Sequence, residues 1–409
     1  MPNLRRMRSP AVVATMLVVA VVALGIGQHK LDAAARVHAV QAPRFEVDPL
    51  WPKPLPNHWV LGNVIGVGVD ANDHVFIVHR NDTFDAQKEI GAVAKPTPLS
   101  ECCVPAPPVL EFDPAGNLVK AWGGPGSGHD WPASNHGISI DNKNNVWIGG
   151  NGTCPPPGSS DCPAGSIDSF ILKFTHDGQF LMEIGQPHQT VNSNSTTHFG
   201  RVAKISFDVA ANEAFVADGY GNKRVAVLDM DNGKIKRFWG AYGHVPSDSN
   251  LGPYNPDAPL AQQFRNPVHC AEPTRDGLVY VCDRVNDRIQ VFKKNGEFVK
   301  EKIIKPATRG DGSVWDIAFS RDPAQKYIFL ADGKNERVYV MDRQSLEILT
   351  QFGDGGRQPG EFFAVHSIAT DSKGNIYTTE TYEGKRIQKF VYKGMASVDP
   401  NQGVVWPKR

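Results

Sequence analysis

Three histidines occupy the same position in a short strand–turn–strand unit that recurs along the chain. His136, His269 and His366 each stand five residues before the first residue of the turn. The other three copies of the unit carry Ile65, Ala203 and Trp315 at that position. If the copies surround an axis, the three imidazoles converge with near-threefold symmetry, which suits zinc with an open fourth position for water or substrate. The alternative is a metal-free ring of histidines hydrogen-bonded to the backbone, and the strict alternation favours the metal.

The recurring unit must position these histidines. Its six copies begin at Ile65, His136, Ala203, His269, Trp315 and His366, and five of them are followed by a further strand, turn and strand. The sixth continues only as RIQKFVYKG, and an early strand at Phe45 completes it. This repetition predicts an all-β fold, a six-bladed β-propeller of four-stranded antiparallel blades over residues 44–394, with the last blade closed by an N-terminal strand. A solenoid and a β-sandwich are the weaker alternatives.

Charge and the N-terminal residues indicate where the protein works. Acidic and basic residues are equal in number, 43 of each, so no nucleic-acid partner is expected. Arg5, Arg6 and Arg8 precede an uncharged apolar run over residues 11–26, the pattern of an export signal. We expect residues 1–30 to be a signal peptide, or an uncleaved anchor that is the sole membrane contact, followed by a linker (31–43), the propeller and a C-terminal tail (395–409). The mature protein is expected to be a periplasmic or secreted monomer.

Six cysteines in an exported chain indicate disulfides. Cys270 and Cys282 flank a turn on adjacent predicted strands, so a cross-strand bridge is the natural pairing. Cys154 and Cys162 enclose the loop PPPGSSD and predict a second short bridge. The neighbouring Cys102 and Cys103 either bond to each other or reach the loop at Cys154, and the sequence leaves both pairings open.

Several short segments follow one another in the order found in a known family. They are VHR ending at Arg80, HGISID from His136, ADGY ending at Tyr220, VHCAE around His269 with DRVNDRIQVF after it, and VHSIA around His366. These segments resemble those of the NHL-repeat six-bladed propellers and, within them, of the peptidyl-α-hydroxyglycine α-amidating lyases. The joint pattern is much more specific than any single repeat.

The resemblance implies that His136, His269 and His366 hold a catalytic zinc, with Arg80 and Tyr220 beside it. In that family's reaction a carbinolamide collapses to an amide and an aldehyde once its hydroxyl loses a proton and its nitrogen regains one. Zinc lowers the pKa of such a hydroxyl. Tyr220 would serve as the base, and Arg80 would neutralise the tyrosinate and bind a substrate carboxylate. The expected substrate is a peptide or a small molecule.

The resemblance also implies a possible structural calcium, bound through the backbone carbonyls of Val67 and Ile138. Two positions depart from the family pattern. Ala364 stands where the family has a methionine, and Ser367 stands where the family has an acid that helps to hold the calcium. The first change reshapes the pocket and the second removes a calcium ligand.

Two other functions remain open from the sequence. One is a non-catalytic NHL-repeat propeller that binds a protein or peptide through the loops at 82–108 and 242–261. The other is a metal-dependent hydrolase or lactonase, although six-bladed propellers with that chemistry use acidic and asparagine ligands that this channel lacks. A metal beside a polar pocket containing Arg80 and Tyr220 would favour an enzyme.

Overall fold

The recurring unit folds as the first two strands of a four-stranded antiparallel sheet, and six such sheets form a ring. The computed structural model describes residues 40–93, 100–126, 128–154 and 167–407. The first strands of neighbouring sheets contact one another all the way around the ring, the sixth meeting the first. The protein is therefore a six-bladed β-propeller, as the repeats predict.

The first half of the chain builds three blades and the strand that later closes the ring. It begins with β1 (Val40–Asp48) and the short β2 (Trp59–Val60), which pairs in parallel with β5 (Val104–Pro105) outside the blades. Blade one contains β3 (Asn63–Val69), β4 (Val75–Arg80), the one-turn helix α1 (Ile90–Val93) in a connection, β6 (Val109–Phe112) and β7 (Leu118–Trp122). Blade two contains β8 (Asn135–Ile140), β9 (Val146–Gly150), β10 (Phe170–Phe174) and β11 (Phe180–Gly185). Blade three contains β12 (Val202–Asp208), β13 (Glu213–Asp218), β14 (Arg224–Asp229) and β15 (Ile235–Trp239).

The second half builds the remaining blades in the same order. Blade four contains β16 (Val268–Pro273), β17 (Leu278–Asp283), β18 (Arg288–Lys293) and β19 (Phe298–Ile303). Blade five contains β20 (Asp316–Phe319), β21 (Tyr327–Asp332), β22 (Arg337–Asp342) and β23 (Ile348–Phe352). Blade six contains β24 (Val365–Thr370), β25 (Ile376–Glu380) and β26 (Arg386–Val398). Single 3₁₀ turns cover Val209–Ala211, Ala241–Gly243 and Arg284–Asn286.

The N-terminal strand closes the ring. β1 pairs antiparallel with β26, from Val40 opposite Val398 to Asp48 opposite Lys389, and supplies the fourth strand of blade six. The pairing therefore extends on both sides of the predicted range 44–394. The C-terminal residues also pack on the propeller, since Val405 is buried and its carbonyl accepts a hydrogen bond from the Val47 amide at 2.8 Å. Pairing β1 with β26 in one blade covers the strand edges that an open ring would expose.

An aspartate at the first turn position stabilises the hairpin in two of the histidine-bearing blades. In blade two, Asp141 Oδ1 accepts backbone N–H groups from Lys143 and Asn145, both at 2.8 Å. Asp371 accepts the corresponding two N–H groups in blade six. A side chain that satisfies the turn's own donors stabilises the turn locally, so in these blades the first strand ends at a defined position.

Bulges near the start of the first strands orient side chains toward the axis. The pairing of β16 skips His269 and that of β24 skips His366, while in β8 the irregularity falls at Gly137, next to His136. A bulge leaves one residue unpaired and redirects its side chain. Gly137 has φ +66°, and a Cβ there would lie 2.4 Å from the Ala203 carbonyl oxygen, so only glycine fits.

The hydrophobic core is divided among the six interfaces between neighbouring blades. Each cluster of buried apolar side chains joins two adjacent blades, as Trp147 and Ile171 of blade two join Val216 and Leu228 of blade three. The middle strands are buried on both faces, whereas the fourth strands, such as β7 and β11, are only partly buried. The ring is stabilised by packing between blades, which keeps the inner strands at a fixed spacing.

The disulfides and the N-terminal residues are the features from which export was predicted. Cys270 and Cys282 are bonded across β16 and β17, which confirms the predicted bridge, and Cys102 is bonded to Cys103. Cys162, the predicted partner of Cys154, lies outside the described residues, as do residues 1–39 with the predicted signal. In the described part of the chain no helix has the length and apolar composition needed to cross a membrane.

Candidate metal centre

The three alternating histidines meet at one end of the central channel. Each is the second residue of a first strand, His136 in β8, His269 in β16 and His366 in β24. Their ring centroids are 4.8–5.3 Å apart, and one ring nitrogen from each lies within 4.8 Å of the others. All three side chains are at most 3% exposed. The structure therefore brings together the triangle of nitrogens that the sequence predicts.

Backbone carbonyls of the intervening blades orient the rings. His136 Nδ1 lies 2.7 Å from the Ala203 carbonyl oxygen, and His269 Nδ1 bonds to the Trp315 carbonyl oxygen. For His366 the corresponding carbonyl is that of Ile65, but His366 Nδ1 does not reach hydrogen-bonding geometry. When Nδ1 carries the proton and donates to a carbonyl, the lone pair of Nε2 is free to bind a metal.

Burial keeps these imidazoles neutral. The pKa of His136, His269 and His366 is lowered well below the usual value, chiefly because burial penalises the charged form. Nearby cations lower it further, Arg80 acting on His136 and Arg284 acting on His269. Neutral imidazole is the form that coordinates a metal ion, so burial prepares the three side chains as ligands.

Tyr220 reaches two of the three histidines from the loop after β13. Its hydroxyl oxygen lies 3.0 Å from Nε2 of both His136 and His269. Asn266 fixes the loop, because its side-chain amide donates to the carbonyl oxygens of Gly219 (2.7 Å) and Asn222 (2.9 Å). The tyrosine oxygen is thus held beside His136 and His269, next to the ring nitrogens that could bind a metal.

Arg80 lies beside the ring at the end of β4. Its Nη2 donates to Asn151 Oδ1 at 2.6 Å and its Nε to the Asn135 carbonyl oxygen at 3.3 Å. Burial lowers the pKa of Arg80, and the carboxylates of Asp82 and Asp168 oppose that change. The neighbouring His79 is fully buried and bonded to backbone groups through both ring nitrogens, which is typical of a structural histidine.

Two further arginines complete the surroundings of Tyr220. Arg284 Nη1 lies 3.3 Å from the tyrosine oxygen, and its guanidinium stacks 4.5 Å from the Trp315 ring. Arg201 has left-handed backbone (φ 70°), donates from Nε to the Asn151 carbonyl oxygen at 2.6 Å, and lies 6.0 Å from the Tyr220 ring. Three guanidiniums around a neutral histidine ring make this end of the channel suitable for an anion.

These arginines were not among the residues predicted from the sequence. Arg284 lies in the segment DRVN that follows β17, where the family pattern gives a signal for it. Its Nε is buried without a hydrogen-bond partner, and its Nη2 lies 3.5 Å from Asp311. The repeats give no signal for Arg201, which lies in a connection between blades. Ala364, where the family has methionine, is buried with left-handed backbone (φ 53°) and donates its N–H to Glu336.

The other end of the channel carries a lysine in place of a bound cation. Val67 and Ile138 line this end, but Lys204 Nζ lies 2.8 Å from Asp316 Oδ1 and 2.9 Å from Glu272 Oε1. Burial opposes the charge of Lys204, but the two carboxylates outweigh it and raise the pKa of the lysine. Both acids are already paired, so these residues do not fit a calcium ion.

A basic cavity adjoins the loop that carries Tyr220. Its volume is about 630 Å³, and part of its wall comes from the insertion at 242–261. Asn266, which holds the Tyr220 loop, also lines it, together with Lys223, Arg265 and Arg309. The insertion therefore forms a wall close to the metal centre, as expected for a long propeller loop.

Comparison with known proteins gives distant relatives of two kinds. No protein-family model matches the chain. The chain is 26% identical over 341 residues to peptidyl-glycine alpha-amidating monooxygenase of Mus musculus, covering 78% of this chain and 29% of that protein. It is 26% identical over 339 residues to peptidyl-glycine alpha-amidating monooxygenase B of Xenopus laevis, covering 79% and 33%. The chain thus spans about a third of the length of these relatives.

The second kind of relative matches nearly end to end. NHL repeat-containing protein 3 of Mus musculus is 23% identical over 369 residues, covering 86% of this chain and 85% of that protein. These homologues confirm the resemblance that the sequence motifs indicate. Among solved structures, virginiamycin B lyase from Staphylococcus aureus is similar with a TM-score of 0.45 and 14% identity, covering 86% of this chain and 90% of that one.

Proposed function

We propose that this protein is a zinc-dependent lyase that cleaves peptidyl-α-hydroxyglycine, or a related N-substituted α-hydroxy amide, into an amide and glyoxylate or another aldehyde. The observation that carries the proposal is the Tyr220 hydroxyl, 3.0 Å from Nε2 of both His136 and His269 within a buried neutral histidine ring. The relatives named as amidating monooxygenases support the same reaction class.

The donor set fits zinc. Three neutral imidazoles supply nitrogen ligands, two of them with Nδ1 tied to a carbonyl so that Nε2 faces the axis. Zinc bound there would supply a Lewis acid that lowers the pKa of the substrate hydroxyl. The arrangement leaves a fourth position for that hydroxyl.

Tyr220 transfers the proton in the proposed reaction, and Arg284 lies beside it. The Tyr220 oxygen accepts the proton of the substrate hydroxyl, the O–H electron pair forms the carbonyl, and the C–N bond breaks with its electron pair on nitrogen. The departing amide nitrogen takes up the proton, so that protons and electrons balance over the reaction. Arg284 Nη1, at 3.3 Å from the tyrosine oxygen, donates a hydrogen bond to it.

Arg80 and Arg201 bind the carboxylate of the substrate. Arg80 donates from Nε to the Asn135 carbonyl oxygen and from Nη2 to the Asn151 side chain. Arg201 donates from Nε to the Asn151 carbonyl oxygen. Because Asn151 contacts both arginines, it holds the two guanidiniums on one side of the ring. A fork of N–H donors fixes a carboxylate in position as well as attracting it.

The test is release of glyoxylate from a synthetic α-hydroxyglycine peptide at neutral pH, measured above the uncatalysed rate. The wild type should release it and His269→Ala should not, while Lys234→Gln, a change of an exposed lysine on blade three, should behave as wild type. A zinc-loaded wild type without activity on peptides of different sequence would refute the proposed reaction.

A binding propeller is the second candidate, because NHL repeat-containing protein 3 matches over most of both chains. The basic cavity walled by 242–261 would then be the binding surface. Retained ligand binding in His269→Ala, with no turnover in the wild type, would favour this function. The Cys270–Cys282 and Cys102–Cys103 bonds support export in either case.

A further inference from the structure

The turn aspartate of blade two is fully satisfied by its neighbours. Asp141 Oδ2 accepts hydrogen bonds from Asn145 Nδ2 (3.0 Å) and Trp147 Nε1 (2.9 Å). Lys173 Nζ, from the strand paired with that of Trp147, lies 3.7 Å from the same oxygen. Blade six repeats the arrangement, with an asparagine and a tyrosine donating to Asp371 Oδ2. Two donors therefore satisfy the buried turn carboxylate in both blades.

In blade one, none of the three residues that surround the turn aspartate of blade two is present. Strand register places His74, Phe76 and Glu111 where blade two has Asn145, Trp147 and Lys173. The side-chain amide and the indole N–H are gone, and a carboxylate replaces the ammonium. As a result, Asp70 Oδ2 and Glu111 Oε2 are both buried without a hydrogen-bond partner.

Four side chains that can bind a metal gather at this point. His74 Nδ1 lies 2.6 Å from Glu111 Oε1. His176, from the turn between β10 and β11 of blade two, has its Nε2 3.4 Å from Glu111 Oε1 and 3.7 Å from Asp70 Oδ2. One ligand atom each from Asp70, His74 and His176 lies within 4.8 Å of the others. The cluster lies on the face opposite the three-histidine ring, since first strands run from that ring to these turns.

Burial makes the charge of this cluster costly without a cation. Glu111 is 0% exposed and Asp70 is 7% exposed, and both approach the same imidazole nitrogen. Within the described parts of the chain, no lysine or arginine nitrogen lies within ion-pairing distance of either carboxylate. Two buried carboxylates without a positive partner are destabilising. His74 and His176, 28% and 32% exposed, leave a path from solvent.

We propose that Asp70, His74, Glu111 and His176 form a second metal site that binds a divalent transition-metal ion, zinc foremost. Two imidazoles and two carboxylates are a ligand set that zinc accepts. The ion neutralises the buried carboxylates and occupies the oxygens that lack partners. Because His176 belongs to blade two and the other three ligands to blade one, the ion also links the two blades. The site is independent of the lyase reaction.

Blade two supplies a matched variant for the test. In His74→Asn/Glu111→Lys, blade one receives two of the three residues that surround Asp141, the amide donor and the lysine, so the fold should be retained without an ion. The metal-free wild type and this variant are incubated with zinc chloride, freed of excess zinc and measured by elemental analysis. We expect the variant to bind one zinc per chain fewer than the wild type, and zinc to raise the melting temperature of the wild type by several degrees more.

Three further variants keep the result interpretable. His176→Asn, at an accessible turn, should weaken the second zinc at least tenfold, whereas the exposed His58→Gln should bind zinc as the wild type does. His269→Ala should lose the zinc ion of the three-histidine ring instead. Combining it with the double variant should therefore remove two zinc ions per chain, which distinguishes the two sites. Equal zinc content in the wild type and the folded double variant, or unchanged zinc affinity in His176→Asn, overturns the proposal.

Discussion

Replacing Tyr220 by phenylalanine removes the proposed base and little else. The ring contacts to His136 and His269, with centroids 4.8 and 5.6 Å away, remain available to phenylalanine. The lost hydroxyl contacts Nε2 of both histidines at 3.0 Å and Arg284 at 3.3 Å. Removing these hydrogen bonds should cost about 1 kcal/mol of stability. Loss of a general base lowers turnover by about 10²- to 10⁴-fold, which is about 3–5 kcal/mol of transition-state stabilisation.

The assay compares kcat, KM and zinc content of Tyr220→Phe and wild type on one α-hydroxyglycine peptide. We expect kcat to fall by at least about a hundredfold, with KM and zinc content nearly unchanged, because the three histidines and the arginines stay in place. Lys234→Gln serves as the matched surface control. A Tyr220→Phe enzyme with kcat within tenfold of the wild type would show that the tyrosine is not the base.

Three other changes test separate parts of the structure. Burial lowers the pKa of His79 from 6.5 to about 4, so the free energy of unfolding should fall by about 3 kcal/mol as the pH drops from above 6.5 to 4. In urea unfolding, His79→Gln should show a weaker pH dependence than the wild type. An equal pH dependence would show that His79 does not carry this effect. Arg201→Gln should raise KM for a carboxylate-bearing substrate about tenfold but not for its amide, and an equal change for both would exclude the carboxylate contact. Lys204→Met leaves the buried Asp316 and the partly exposed Glu272 without a cation and should lower the free energy of unfolding in urea by about 3 kcal/mol, which an unchanged midpoint would contradict.

The histidine ring was predictable because each hairpin fixes the distance from strand start to turn. The Asx turns at Asp141 and Asp371 hold the register of two hairpins, and the Thr274 side chain accepts a turn N–H in the third, so a residue five positions earlier falls at the same depth in the three histidine-bearing blades. Histidines that alternate among the blades in sequence therefore lie close together at the propeller axis. The closing strand was predictable for a related reason, since the last unit lacks a fourth strand and β1 supplies it.

Contacts between residues of different blades could not be predicted from the repeat pattern. Arg201 lies in a connection and Lys204 finds its carboxylates on blades four and five, and no spacing within one blade specifies such partners. For the same reason the repeat gives no sign of the lysine at the end of the channel lined by Val67 and Ile138. Likewise, His74 differs visibly from its counterparts, but Glu111 and His176 join it only through the packing of blade two on blade one.

Zinc content decides whether the alternating histidines hold a metal ion. The purified protein and His269→Ala are loaded with zinc in parallel, freed of excess metal and measured by elemental analysis. We expect His269→Ala to bind one zinc per chain fewer than the wild type and to release no glyoxylate. Equal zinc content in the two folded proteins would show that the histidine ring does not hold the ion.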